Sequence, residues 1–170
     1  MSTPNLLDGT EQFMRAAGQP IPDVPTIPPA SVIALRMKML VEEVSELVEA
    51  VGFRDMQDYL DCVYSDDSID DIIQEAIDGT GRYNFDFTEM IDAFHDIAVI
   101  AYGGALETAG SDATKAAAAE VTRSNLDKVN GKHGPTVWAG EPMNSKVKKP
   151  AGWVGPDIAG VLKASGWEAT

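Results

Sequence analysis

The sequence predicts an all-α fold: a helical bundle built around two long acidic helices, followed by an irregular basic C-terminal segment. Three observations predict it. "MLVEEVSELVEA" from Met39 and "FTEMIDAFHDIAVIAYGGAL" from Phe87 both carry apolar residues at helical period. Proline and glycine gather in the segments between periodic stretches, chiefly 18–29 and 130–155. No segment alternates convincingly as a strand, and there are no internal repeats.

The elements follow in order. Residues 9–17 predict a short helix ended by Gly18. "GQPIPDVPTIPPA" is too rich in proline to be anything but extended. Ser31, or the Pro28-Pro29 pair, opens a long helix running to about Val51. Residues 55–78 predict two short acidic helices with "SDDS" between them, and "GTGRYNFDF" is a loop. Residues 87–109 form the second long helix, ended by Gly110; Ser111 caps another, to about Asp127. The basic segment from Asn130 loses periodicity, and "PDIAGVLKASGW" closes with a short helix starting at Pro156. The 170 residues suit a single domain, 1–170, with an extended arm at 1–30 and an extension at 130–170.

The net charge is −14 and unevenly spread. Residues 1–114 hold 22 acidic and 5 basic side chains; residues 115–170 hold 5 acidic and 8 basic. Such a chain repels nucleic-acid backbones and anionic membranes, so neither is expected as a partner. No apolar run of the roughly 18 residues needed for a membrane span exists, and the N-terminus does not read as a signal peptide. The single Cys62 fits a reducing compartment.

The acids form two rows. At about 100° per residue, with Glu42 at 0°, Glu46, Glu43 and Glu49 fall within about 100° of it, and Leu40, Val44, Leu47, Val48 and Val51 lie opposite. Taken alone this is an ordinary solvated face. Yet Lys38 is the one clear basic partner, so the carboxylates repel each other and a cation would relieve them. On the second helix Glu89, Asp92 and Asp96 share a side, and nearly everything else is apolar or small. That pattern predicts a buried helix in which Asp96 needs a base, hydrogen-bond donors or a metal. His95 points away from the row, and Gly103 and Gly104 leave room for another backbone or a flat ligand.

If the two helices pack side by side, their carboxylate oxygens can converge, which suits a hard divalent ion such as Mg²⁺ or Mn²⁺. Zinc is disfavoured, since the histidines are only His95 and His133. Mg²⁺ commonly binds together with substrate phosphates. Arg123, Lys128 and Lys149 are the basic side chains that would meet them, or else they complement the end of a helix. Trp153 is either a packing anchor or a base-stacking surface. "GTGRYN" lacks the spacing and the lysine of a Walker-type loop.

These residues resemble a known family. "EEVSE", Glu42–Glu46, is similar to the EExxE signature of MazG-like all-α nucleoside triphosphate pyrophosphohydrolases. "DAFHDIAVIAYGGALETAG", "EVTRSNLDKVNGK", "KPAGWVGPDIAGVL" and "FMRAAGQPIPDVPT" resemble segments of its phosphoribosyl-ATP pyrophosphatase-like branch, found in phages and bacteria. The second family motif, ExxD ending at Asp96, would require Glu at position 93, where this chain has Ala93; Glu89–Asp92 offers an alternative ExxD. Residues 53–86 are longer than the usual link, an insertion that shapes a base pocket or an oligomer contact.

The resemblance implies hydrolysis of a (d)NTP to (d)NMP and pyrophosphate with Mg²⁺, Mn²⁺ substituting. It implies Glu43, Glu46, Asp92 and Asp96 as metal ligands, and Glu42 as a further ligand or the base that orients water. Arg123, Asn125 and Lys128 would hold phosphates, with Lys149 and Trp153 joining them at the substrate. Gln19, Asn84 and Trp153 are candidate base contacts, with the choice among dUTP, dGTP and dCTP open. A homodimer or dimer of dimers is implied, in the cytoplasm of a bacterium or a phage-infected host. The alternatives are a non-catalytic helical interaction protein and the phosphoribosyl-ATP pyrophosphatase of histidine synthesis.

Overall fold

The computed structural model describes residues 5–65, 68–141 and 145–168. Among them lie six helices and no strand: α1 (Leu6–Ala16), α2 (Ala30–Ala50), α3 (Met56–Val63), α4 (Ile69–Ile77), α5 (Phe87–Leu126) and α6 (Ile158–Ala164). No described helix is long and apolar enough to cross a membrane. The chain divides into two compact units. The first is Met1–Ala17 with Pro28–Gly104, the second Gly18–Ile27 with Ala105–Thr170. The division falls inside α5.

Local chemistry explains the boundaries. α1 starts earlier than its periodicity suggests because the Asn5 side chain accepts the Asp8 N–H. α2 begins right after Pro29, whose φ of −52° is already set for a helix start. Asp55 and Ser68 cap α3 and α4 by accepting the N–H of Asp58 and of Asp71. Asp66 and Asp67 of "SDDS" lie outside the described residues. α5 is two helices joined at Gly110, where φ is +77° and a Cβ would collide with the Pro22 carbonyl. The expected stop at Gly110 is therefore a break, and the helix resumes at once. The basic segment is irregular, with one isolated antiparallel bridge between Trp138 and Val147.

In the first unit α2 and the start of α5 run antiparallel. At one end the Asp86 N–H donates to the Ala50 carbonyl at 2.8 Å. At the other, the Arg36 guanidinium lies against Gly103, where a Cβ would sit 2.6 Å from Arg36 Nη1. The flat group that uses the space left by Gly103 is thus a side chain of α2.

The burial of α5 differs from the sequence expectation. Ala93, Ile100 and Gly103 are buried and Asp96 is half-buried, all on the side that carries the acids. The opposite, apolar side is open: Phe87 is 63% exposed and Phe94 52%. An all-round apolar helix is wholly buried only with neighbours on both sides, and among the described residues this side of α5 is left exposed. α2 likewise leaves Leu35, Met37 and Val41 exposed.

Candidate metal and nucleotide site

The antiparallel register explains why two acid rows meet. Glu43 lies seven residues after Arg36 on α2, and Asp96 seven residues before Gly103 on α5. Seven residues are about two turns, or about 10.5 Å of rise, and return to nearly the same face. Counting from the Arg36–Gly103 contact in opposite directions along antiparallel helices brings Glu43 opposite Asp96.

The electrostatics agree. The Glu43 carboxyl is pushed above its ordinary value, first by burial and then by the negative charges of Glu46, Asp96, Glu42 and Asp92. Asp96 is the strongest of these influences from the facing helix. Of the row, Glu43 and Asp96 are half-buried, while Glu42, Glu46 and Asp92 are exposed. Lys38 pairs with Glu42 at 3.4 Å, as the sequence spacing suggests. Asp92 also lines an open groove of about 450 Å³ with Phe87, Thr88, Ile91 and His95. His95 directs Nδ1 at the Ile91 carbonyl, 2.7 Å away, so that nitrogen carries the proton.

Among the described residues no three His, Cys, Asp or Glu side chains are gathered closely enough to hold an ion by themselves. The donor set nevertheless suits Mg²⁺, which keeps its waters and takes one or two carboxylates plus phosphates rather than a full protein cage.

The basic residues belong to the second unit, and they are occupied. Arg123 donates through Nε and Nη2 to Glu120 at 2.8 and 2.7 Å, through Nη1 to Asp127 at 2.8 Å, and through Nη2 to the Gly155 carbonyl at 3.2 Å. Asp127, buried to 6% exposure, also accepts from Lys132 at 2.7 Å and Asn130 at 3.1 Å. The Arg123 hydrogen bonds, joined by the Asp157 N–H, hold Glu120 down to about 2, and the Glu120 carboxylate in turn raises Arg123. Lys132 and Asn130 hold Asp127 below the usual carboxylate range.

Lys128 donates to the Asn125 side chain at 2.8 Å. Both Lys128 and Lys149 place Nζ 5.0 Å from the centre of the Trp153 ring. The Trp153 indole N–H donates to the Ser124 carbonyl at 2.6 Å. Trp153 is thus a packing anchor that fastens the tail to the end of α5. Gln19 is half-buried and Asn84 exposed.

Glu120 and Asp127 escaped the sequence reading, although their spacing of three and four residues from Arg123 is the signal that could have found them. No family model matches the chain, and no curated protein matches its sequence.

Proposed function

We propose that this chain is a divalent-cation-dependent nucleoside triphosphate pyrophosphohydrolase, cleaving (d)NTP to (d)NMP and pyrophosphate. The observation that carries the proposal is Glu43 on α2, its carboxyl crowded by Glu46 and Glu42 of its own helix and by Asp96 and Asp92 of the facing one. Crowded carboxylates on two helices cost stability unless a cation joins them. Glu43, Glu46, Asp92 and Asp96 are the proposed ligands of Mg²⁺ or Mn²⁺. The cation would offset phosphate charge and make water easier to deprotonate. Glu42, next in the row, is the proposed acceptor of the water's proton.

Phosphate contacts by Arg123, Asn125, Lys128 and Lys149 are carried by the family resemblance alone. Arg123 would have to give up Glu120 and Asp127 to make them, whereas Lys128 and Lys149 are held more loosely. The exposed apolar sides of α2 and α5 support a homo-oligomer, and the acidic, single-cysteine chain fits the cytoplasm.

The test is pyrophosphate release from a panel of NTPs, dNTPs and phosphoribosyl-ATP with Mg²⁺ and with Mn²⁺. Cleavage of at least one nucleotide, lost on adding EDTA, is expected. A panel with no turnover under either ion would favour the second reading, a helical interaction protein. The outward apolar residues Phe87, Phe94 and Met37 speak for that alternative.

A further inference from the structure

The longer link between the two acidic helices builds a cavity within the first unit. It has a volume of about 190 Å³ and is lined in part by Phe53, Cys62, Glu75, Arg82 and Tyr83. Two glycines make it possible. Gly52, just past α2, has φ +106°, and a Cβ there would collide with Ala76 of α4. A Cβ on Gly81 would lie 2.9 Å from the Ala76 nitrogen. The chain leaving α4 then folds back: the N–H groups of Thr80 and Gly81 both donate to the Glu75 carbonyl at 2.9 Å. That turn brings Arg82 back to the cavity that Glu75 also lines.

The polar equipment is unusual. The Glu75 carboxylate has no partner among the described residues, and Arg82 forms no ion pair there, its guanidinium lying 5.5 Å from the Tyr83 ring centre. Glu75 and Arg82 are both exposed at the cavity's edge, and Asp58, which also lines it, accepts from the Arg54 N–H at 3.0 Å. An unpaired carboxylate and guanidinium at one cavity suit a ligand that offers donors and acceptors together. The aromatic walls, Phe53 and Tyr83, ask for a flat one. At about 190 Å³ the cavity falls below the roughly 300–1,000 Å³ of sites for drug-sized ligands, so it has room for a ring system rather than a whole nucleotide.

We infer that this cavity is a nucleobase pocket selecting guanine, with Glu75 accepting from the N1–H and N2–H edge and Arg82 donating to O6 and N7. Guanine presents adjacent edges that match both groups: a paired donor edge for a carboxylate and a paired acceptor edge for a guanidinium fork. Adenine, cytosine and thymine each lack at least one of those paired edges. The pocket rests on the reading of the chain as a nucleotide pyrophosphohydrolase and narrows its substrate to guanine nucleotides. The distance suits it. Gly52 follows Glu46 by six residues and Glu43 by nine, or roughly 9 and 14 Å at the helical rise, a gap that a sugar and its phosphates span.

The experiment is saturation-transfer NMR with the four 2′-deoxynucleosides, each alone and in competition, in EDTA. Deoxyguanosine should receive saturation and resist displacement by the other three. Glu75→Gln should weaken its binding by about tenfold or more, the scale of one bidentate base contact. Arg82→Lys keeps the charge but loses the fork, and should reduce the preference for guanine. Far-UV circular dichroism of both variants confirms that they fold. No binding of any nucleoside, equal binding of all four, or a Glu75→Gln protein that binds like wild type would overturn the pocket. Pyrophosphate release keeps the two proposals apart. Turnover without deoxyguanosine binding sinks the pocket alone, and binding without turnover sinks the catalytic reading alone.

Discussion

Two regions of this chain treat charge in opposite ways. Along α2 and the start of α5, Glu42, Glu43, Glu46, Asp92 and Asp96 act on one another, and Lys38 is the basic partner seen among them. At the end of α5, Glu120 and Asp127 are matched by Arg123, Lys132, Asn130 and the backbone of Asp157. One carboxyl of the first group is pushed up, while both of the second are pulled down. The contrast teaches where to look for chemistry. The matched network holds the tail, and the mismatched one is where the proposed cation would act.

The comparison breaks first if the mismatched acids do nothing. Glu46→Ala and Asp96→Ala should each lower Mg²⁺-dependent pyrophosphate release by at least about a hundredfold, the scale on which one preorganised electrostatic contact to a reacting group is felt. Turnover close to wild type in both would remove the site. In the matched region the effect is on stability. Trp153→Ala should cost about 3 kcal/mol in urea unfolding, the lower end of the range for such truncations because the ring is only half-buried. Trp153→Phe, which loses the bond to the Ser124 carbonyl, should cost about 1 kcal/mol.

Acid sharpens the contrast. Glu120 is depressed in the folded state, so its contribution is present above its unfolded value near 4.5 and lost as pH falls towards about 2. The melting temperature of Glu120→Gln should therefore lie below wild type at pH 7 and meet it near pH 2. Glu43 has the opposite sign. Its folded value is raised, so its contribution is full below 4.5 and is lost as pH rises through the folded value. Glu43→Gln should melt slightly higher than wild type at pH 7 in EDTA, the smallest of these shifts. A scan in which Glu43→Gln melts lower would show that the crowding carries no strain.

The elements themselves were largely legible. α2 appears where its apolar spacing and the prolines before it indicate, and the break at Gly110 coincides with the stop read from that glycine. Both acid rows were visible as rows. Their pairing was not, because it depends on Arg36 settling against Gly103, a contact between residues 67 positions apart in sequence. The occupation of Arg123 was half legible. Its partners at three and four residues are local, but the Gly155 carbonyl and the Asp157 N–H come from a tail whose path no periodicity describes. The cavity at Glu75 and Arg82 was hidden for a similar reason. It exists because Gly52 and Gly81 let two backbones approach Ala76, and a glycine in a loop does not announce what it lies against.

The outward-facing Phe87, Phe94 and Met37 carry a consequence for abundance. If copies of the chain meet through that surface, as proposed above, the thermal midpoint should climb as the solution is concentrated and sink on dilution. Expression level would then tune how long each molecule survives.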